Sequence, residues 1–295
     1  MKILVMKYFQ LFCLCFFFLS GLAQQQSFKK ISGETFPIDK KLYEGSGLAQ
    51  WNGRLLAHND SGDNNLYELD TVAGLLTNNY QVRNTQNTDW EDIAQDSLYF
   101  YIGDIGNNSG SRSILRILRV DKKSLFEKVL PIVDTISFAW PQTEESGIAR
   151  QINFDCEAFI TFGDSLYLFT KEYKTKRCTR LFSIPNKPGS YTARYRNILN
   201  TRMLITGATY HVNRKQLVLC GYNLWLRPFL LLFSNVAGSD FFSMPYTKYK
   251  LRLPFRQIEG VATFDGIRHY LISEEFKFLF FHRRPALHIV DINKN

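Results

Sequence analysis

A short motif written five times is what most constrains this chain. The segments Gly45-Ser46-Gly47-Leu48-Ala49, Trp90-Glu91-Asp92-Ile93-Ala94, Cys156-Glu157-Ala158-Phe159-Ile160, Ile205-Thr206-Gly207-Ala208-Thr209 and Ile258-Glu259-Gly260-Val261-Ala262 recur at intervals from the forties to the sixties. Each is followed by a turn, such as Trp51-Asn52-Gly53 or Gln95-Asp96-Ser97, whose Gly, Asn and Asp residues supply the positive φ of tight hairpins. A strongly apolar strand comes next, over 54–58, 98–102, 166–170, 217–221 and 270–273. Third strands are expected over 66–69, 114–120, 180–184, 229–233 and 287–290, and fourth strands over 135–140, 191–198 and 248–253. Units of this size hold four antiparallel strands, the content of one propeller blade.

The expectation is an all-β chain folded as a single β-propeller of five blades, or six if the long interval between Glu91 and Glu157 holds a degenerate blade. Aromatic residues make up 15% of the chain, including 25 Phe and 15 Tyr, and no helical apolar period runs on beyond the N-terminus, which agrees with an all-β fold. The last copy runs out of residues before a fourth strand, while the segment 28–36 has no blade of its own. Letting it supply the missing outer strand closes the ring and removes an exposed sheet edge.

Residues 1–23 read as a signal peptide: Lys2 and Lys7 precede the apolar run 11–19, and Ser20-Gly21-Leu22-Ala23 offers a small-residue cleavage site. The run is short for a membrane span, which takes about 20 apolar residues. The propeller domain is then 24–295, with no integral membrane span after cleavage, and the mature protein is expected to be secreted, periplasmic or at the cell surface. Cleavage leaves Cys156, Cys178 and Cys220, an odd number that gives no disulfide framework. The formal charge of +9 drops to +7 without Lys2 and Lys7. Its basic residues are scattered rather than interleaved with aromatics, so a solvated basic exterior is the expectation and nucleic acid is not an expected partner.

Superposing the copies places Ser46, Glu91, Glu157, Thr206 and Glu259 at the start of each innermost strand. It places Asp60, Asp104, Glu172, Asn223 and Glu275 at the end of each second strand, and in an antiparallel hairpin these positions share an end. Both sets are therefore expected at one mouth of the central channel. Carboxylates so close need a counter-charge or raised pKa values. All-oxygen ligands without Cys or a His cluster suit Ca2+, with Mg2+ also allowed. Each acid taken alone is equally well explained by a hydrogen bond between blades. His58 and His211 are candidate proton acceptors, and Lys171 and Arg112 candidates for holding an anionic group.

The phrases Leu56-Ala57-His58-Asn59-Asp60-Ser61-Gly62, Asp89-Trp90-Glu91-Asp92-Ile93-Ala94, Tyr101-Ile102-Gly103-Asp104-Ile105-Gly106-Asn107-Asn108 and Phe154-Asp155-Cys156-Glu157-Ala158 resemble a group of exported propeller-like proteins common in Bacteroidetes. More distantly, Glu259-Gly260-Val261-Ala262 is similar to the markers of phytase-type esterase-like propellers, and the layout resembles calcium-dependent lactonase and strictosidine-synthase-like propellers. The resemblance implies Glu91, Glu157 and Glu259 as metal ligands, with Asn223 and Asp104 nearby. Ser46 and Thr206 depart from that ring of ligands.

Two functions follow as expectations. One is metal-assisted hydrolysis of an ester, lactone or phosphoester, in which Glu157 is essential for turnover. The other is a non-catalytic module with a structural cation or none, whose mouth holds a small molecule, glycan or peptide. Tyr222, Trp225, Phe241, Phe242 and Tyr246 could give that module a stacking surface, or pack between blades.

Overall fold

The computed structural model describes residues 26–127, 130–142, 154–173, 178–253, 255–278 and 281–294. The expected leader, with Cys13 and Cys15, lies outside them. Two strands, β1 (Gln26–Ile31) and β2 (Gly33–Pro37), precede the first copy of the motif. Each copy then opens the innermost strand of an antiparallel blade.

Blade one is β3 (Gly45–Trp51), β4 (Arg54–Asn59), β5 (Asn65–Leu69) and β6 (Leu76–Gln81). Blade two is β7 (Trp90–Gln95), β8 (Tyr99–Asp104), β9 (Leu115–Asp121) and, after the single helical turn α1 (Lys122–Phe126), β10 (Val133–Ala139). Blade three is β11 (Cys156–Phe162), β12 (Ser165–Thr170) and β13 (Cys178–Pro185); the chain then lays β14 (Gly189–Thr192) parallel along β10 of blade two before β15 (Arg194–Asn200) completes blade three. Blade four is β16 (Leu204–His211), β17 (Gln216–Tyr222), β18 (Pro228–Phe233) and β19 (Tyr246–Leu251). Blade five is β20 (Ile258–Thr263) and β21 (Arg268–Ser273), then the hairpin β22 (Phe276–Phe278) and β23 (Phe281–Arg283), then β24 (Ala286–Asp291).

Five blades therefore account for the described chain, and the interval between Glu91 and Glu157 holds the outer strands of blade two rather than a sixth blade. Closure is finer than the sequence suggested. The segment expected as one outer strand splits at Ser32: β2 pairs with β24 and completes blade five, while β1 runs parallel to β19 on the outside of blade four. The fourth strand of blade one, the parallel strap β14 and the hairpin β22–β23 were not legible. β6 is mostly exposed and reads Leu-Thr-Asn-Asn-Tyr-Gln, too polar to stand out as a strand.

The core lies between blades. Phe169, Phe233, Phe241, Phe242 and Tyr246 are buried in the seam between blades three and four, so three of the five aromatics considered for a stacking surface are packing residues. Cys156 and Cys220 are buried free thiols, and Cys178 is partly buried. Among the described residues no helix is long and apolar enough to cross a membrane.

One residue organises the axis. The third motif position is occupied by Gly47, Asp92, Ala158, Gly207 and Gly260, four small residues and an acid. Small residues let the innermost strands crowd together: a Cβ on Gly260 would sit 2.8 Å from the Gly47 carbonyl carbon, and one on Gly207 would sit 2.9 Å from Gly260 Cα. Into that space Asp92 projects from β7. Its Oδ2 accepts the backbone N–H of Phe159 on β11 and of Ala208 on β16, both at 3.1 Å, and its Oδ1 accepts that of Ile93 at 2.9 Å. The carboxylate is fully buried and ties three blades together across the channel. Burial pushes its pKa well above the ordinary carboxylate value, against the pull of the three N–H donors.

Candidate metal centre at one mouth of the channel

On one side of Asp92 the starts of the innermost strands carry a cluster of acids. A β-bulge at Glu91, Glu157, Thr206 and Glu259 interrupts the pairing of the first two strands and turns each of these residues out of the ladder. In blade one the irregularity falls a residue later, at Gly47, and Ser46 instead donates to the Glu91 carbonyl at 2.5 Å. Carboxylate oxygens of Glu91, Asp155 and Glu157 lie within 4.8 Å of one another. This triad could hold a metal ion.

Its surroundings are acidic as well. The Gly106 backbone packs so tightly on the carboxylates of Asp89 and Glu91 that a Cβ would overlap both, which is why the Asp104-Ile105-Gly106 corner carries glycine there. Glu259 lies beside Tyr222, while Thr206 donates to the Ile258 carbonyl and Gln257 to Glu274. Among the described residues one ammonium faces the group: Lys171 Nζ lies 2.5 Å from both oxygens of Glu157. Burial, then the charges of Glu157 and Asp89, push Glu91 well above the ordinary carboxylate range. Burial also raises Glu157 and Glu259, against the attraction of Lys171. Glu157 holds Lys171 well above its usual value in spite of burial. At the rim, Asp60, buried beside Glu44, is pushed up to about 8, and so is Glu274, buried near Glu259. Asp155 Oδ1 accepts the Asn107 N–H at 2.8 Å, whereas Asp155 Oδ2 is buried and has no hydrogen-bond partner among the described residues.

The second set of expected ligands does not join this cluster, Asp60 excepted. Asp104 is fully buried but neutralised by Arg112 at 2.8 Å and Arg116 at 2.7 Å. Glu172 is paired with Arg180 and accepts from Thr170. Asn223 caps a turn, its Oδ1 accepting the N–H of Trp225 and Arg227. Glu275 pairs with Lys277 and His282 at the surface. The cause is register. In blades three, four and five the residues that reach the mouth are Lys171, Tyr222 and Glu274, each one position earlier, and in a strand a slip of one residue exchanges the faces.

The two histidines are corrected too. His58 is fully buried with its ring against Trp90, and burial drives its pKa down to about 4. His211 ends β16, at the opposite mouth, with Nε2 on the Phe264 carbonyl and Nδ1 accepting from Arg214 N. Neither imidazole reaches the acids. Arg112 spends its guanidinium on Asp104 and on the Gly106 carbonyl at 2.7 Å.

Asp155 and Asp89 were missed, although a signal exists. Asp89-Trp90-Glu91, Asp155-Cys156-Glu157 and Gln257-Ile258-Glu259 repeat a polar-apolar-Glu pattern, and residues two apart share a strand face.

No protein-family model matches the sequence, and no curated protein sequence matches it. Solved structures do. An exo-β-1,3-galactanase from Phanerochaete chrysosporium, solved with β-1,3-galactotriose, is similar with a TM-score of 0.51 at 8% identity, over 88% of this chain and 63% of that one. The chain thus spans less than two thirds of the galactanase chain. The WD40 repeats of RRP9 give 0.41 at 7% identity over 88% and 97% of the two chains. A periplasmic gluconolactonase from Pseudomonas aeruginosa gives 0.39 at 9% identity over 83% and 67%. At these identities the likeness is one of fold.

Proposed function

We propose that the acidic mouth binds a divalent cation, calcium by its oxygen donors, through Glu91, Asp155 and Glu157, and that the protein is an exported metal-dependent hydrolase of esters, lactones or phosphoesters. The observation that carries this reading is the triad itself: three carboxylates with oxygens within 4.8 Å, one of them with a buried oxygen that has no partner among the described residues. Asp89 and Glu259 add two more acids, and Lys171 supplies one positive charge against them. A divalent cation is the direct way to ionise such a group, and hard oxygen donors favour Ca2+ or Mg2+. A cation held there would polarise a substrate oxygen or acidify a bound water.

The chain's own groups have defined parts in that reaction. Lys171 keeps its charge and stands beside Glu157, where it can hold an anionic oxygen of the substrate. Asp89, beside Glu91 and partly exposed, is the carboxylate placed to accept a proton. Asp155 is partly exposed, and a catalytic centre needs one coordination position left open.

The test is calorimetric titration of calcium into mature protein, paired with turnover of p-nitrophenyl acetate, a δ-lactone and bis(p-nitrophenyl) phosphate. Binding near about 10 μM, weakened at least about tenfold by Glu91→Gln or Asp155→Asn, together with chelator-sensitive turnover of one substrate, is expected. Absence of calcium binding to the unmodified protein would overturn the reading. A second reading rests on Lys171, whose ammonium already bridges both Glu157 oxygens. If that lysine is the counter-ion the cluster was built for, the propeller is a non-catalytic binding module, and Lys171→Met would create a calcium site that the parent lacks.

A further inference from the structure

The opposite mouth carries a cavity of its own. It holds about 690 Å³, within the range of small-molecule sites, and it is lined by the far ends of the innermost strands. It is a blind funnel. Leu48, Ile93 and Ala208 lie at its base, one or two residues along their strands from the level at which Asp92 crosses the axis. The acidic cluster lies beyond that crossing.

The chemistry of the walls differs from that of the acidic mouth. Trp51, Phe162, Tyr210 and Phe264, from four of the five blades, form a collar, and all four are partly exposed. Packing holds their rings in place: Trp51 stacks on Phe126 at 5.8 Å, Phe162 sits edge-on to Phe241 at 5.4 Å, and Phe264 sits edge-on to Tyr270 at 5.5 Å. The charged groups in the wall are spent internally. Lys122 donates to Gln95 Oε1 at 2.7 Å and to the Asp96 carbonyl at 2.6 Å, and lies 4.0 Å from the Trp51 ring centre. The Asp96 carboxylate accepts from Leu98 N, Tyr99 N and the Tyr101 hydroxyl. Both nitrogens of His211 are engaged as described. Two polar side chains in the wall, Gln50 and Thr209, are partly exposed and have no side-chain hydrogen bond within the described protein.

We propose that this funnel is a second binding site, independent of the acidic mouth, for an uncharged saccharide unit. A pyranose is a flat-sided molecule with C–H groups on its faces and hydroxyls at its edge. The C–H faces carry the partial positive charge that the negative face of an aromatic ring attracts, and the collar presents rings fixed in advance. The hydroxyls need neutral donors and acceptors, which the Gln50 amide and the Thr209 hydroxyl supply. An ionic ligand would have to displace the neutral hydrogen-bond partners that Lys122 and Asp96 already hold before it met a counter-charge.

The test is calorimetry and saturation-transfer NMR on full-length mature protein, with chelator present throughout so that the acidic mouth is silent. The probes are methyl β-D-glucopyranoside, methyl β-D-galactopyranoside, cellobiose and lactose, with gluconate and glucosamine as charged controls. Saturable binding of at least one neutral sugar with a Kd of about 0.1–1 mM is expected, with the charged controls weaker. Thr209→Val, which replaces a wall hydroxyl by a methyl of equal size, and Gln50→Leu should each weaken binding about fivefold or more without moving the melting midpoint. Trp51→Leu should remove binding, but Trp51 also packs on Phe100 and Phe126, so the two polar variants decide the matter. No binding by any neutral probe up to about 50 mM, equal or tighter binding of a charged control, or binding indifferent to both polar variants would each overturn the assignment.

Discussion

Replacing Asp92 offers the sharpest trial of the axial arrangement. Three backbone N–H groups on three blades end on this one carboxylate, at 2.9 to 3.1 Å, inside a sealed space. Asp92→Ala leaves all three without an acceptor. An unsatisfied buried donor costs about 1–3 kcal/mol, and relief from burying the carboxylate returns part of that, so a net loss of about 3 kcal/mol is expected. That is a large share of the roughly 5–15 kcal/mol that holds a domain folded. Asp92→Asn behaves differently, because its single amide oxygen can occupy the Oδ2 position and keep both Phe159 and Ala208. The Ile93 N–H is then left facing the amide NH2, at a cost of about 1–3 kcal/mol, which release from burying a carboxylate offsets, so its stability should stay within about 1 kcal/mol of the parent. Urea unfolding followed by tryptophan fluorescence, with an unchanged m-value and a lower midpoint for the alanine variant, measures the gap of about 2 kcal/mol. Equal losses in both variants would mean that the charge matters and the three-way acceptor does not, and the reasoning would fail.

From pH 7 to 8 the cation-free protein should lose about 1 kcal/mol: Asp60 and Glu274, with folded pKa values of about 8, hold protons there that the unfolded chain has shed, so stability falls as pH rises. Lys122 and Lys248, lowered to about 8, oppose this near the top of the window, and a denaturation midpoint that rises from pH 7 to 8 would refute the balance. Below pH 6.5 the buried imidazoles of His58 and His269, both lowered to about 4, must take up protons on unfolding, so their contribution is lost as pH falls from 6.5 towards 4; His58→Gln should flatten that acid limb. Gly106→Ala should force Asp89 and Glu91 apart and weaken calcium binding at least about tenfold, and unchanged affinity by calorimetry would show that the two acids move freely. Removing residues 26–37 should leave β19 and β24 as open edges and turn a monodisperse protein into an aggregating one, as read by light scattering.

The repeat made the five blades legible because hairpin turns and apolar second strands keep their spacing even where the marker residue changes. It also located Glu91, Glu157 and Glu259, since the bulge that aims them falls at a fixed place in four blades. What it could not give was parity at the end of the second strand. Lys171 and Glu172 are neighbours in sequence, yet the first meets Glu157 in the channel and the second meets Arg180 within its own blade. Choosing between them needs the register of β12 against β11, which is shifted by the bulge at Glu157. Asp92 escaped notice because its role depends on distance in space: it serves N–H groups 67 and 116 residues away. Nothing local marks such a residue except the smallness of its counterparts, Gly47, Ala158, Gly207 and Gly260.

The split closing segment has a kinetic consequence. Ser27 bonds Thr247 across 220 residues of sequence, and Thr35 meets His288 across 253. Contacts of such span carry the highest loop-closure entropy in the molecule and form late, because little enthalpy is gained until the ends have met. Until then an otherwise assembled ring exposes two unpaired strand edges, β19 in blade four and β24 in blade five. The slow step of folding is therefore also the moment of greatest exposure to other chains, and a short peptide copying β1 and β2 would act as an inhibitor of folding by occupying the seam first.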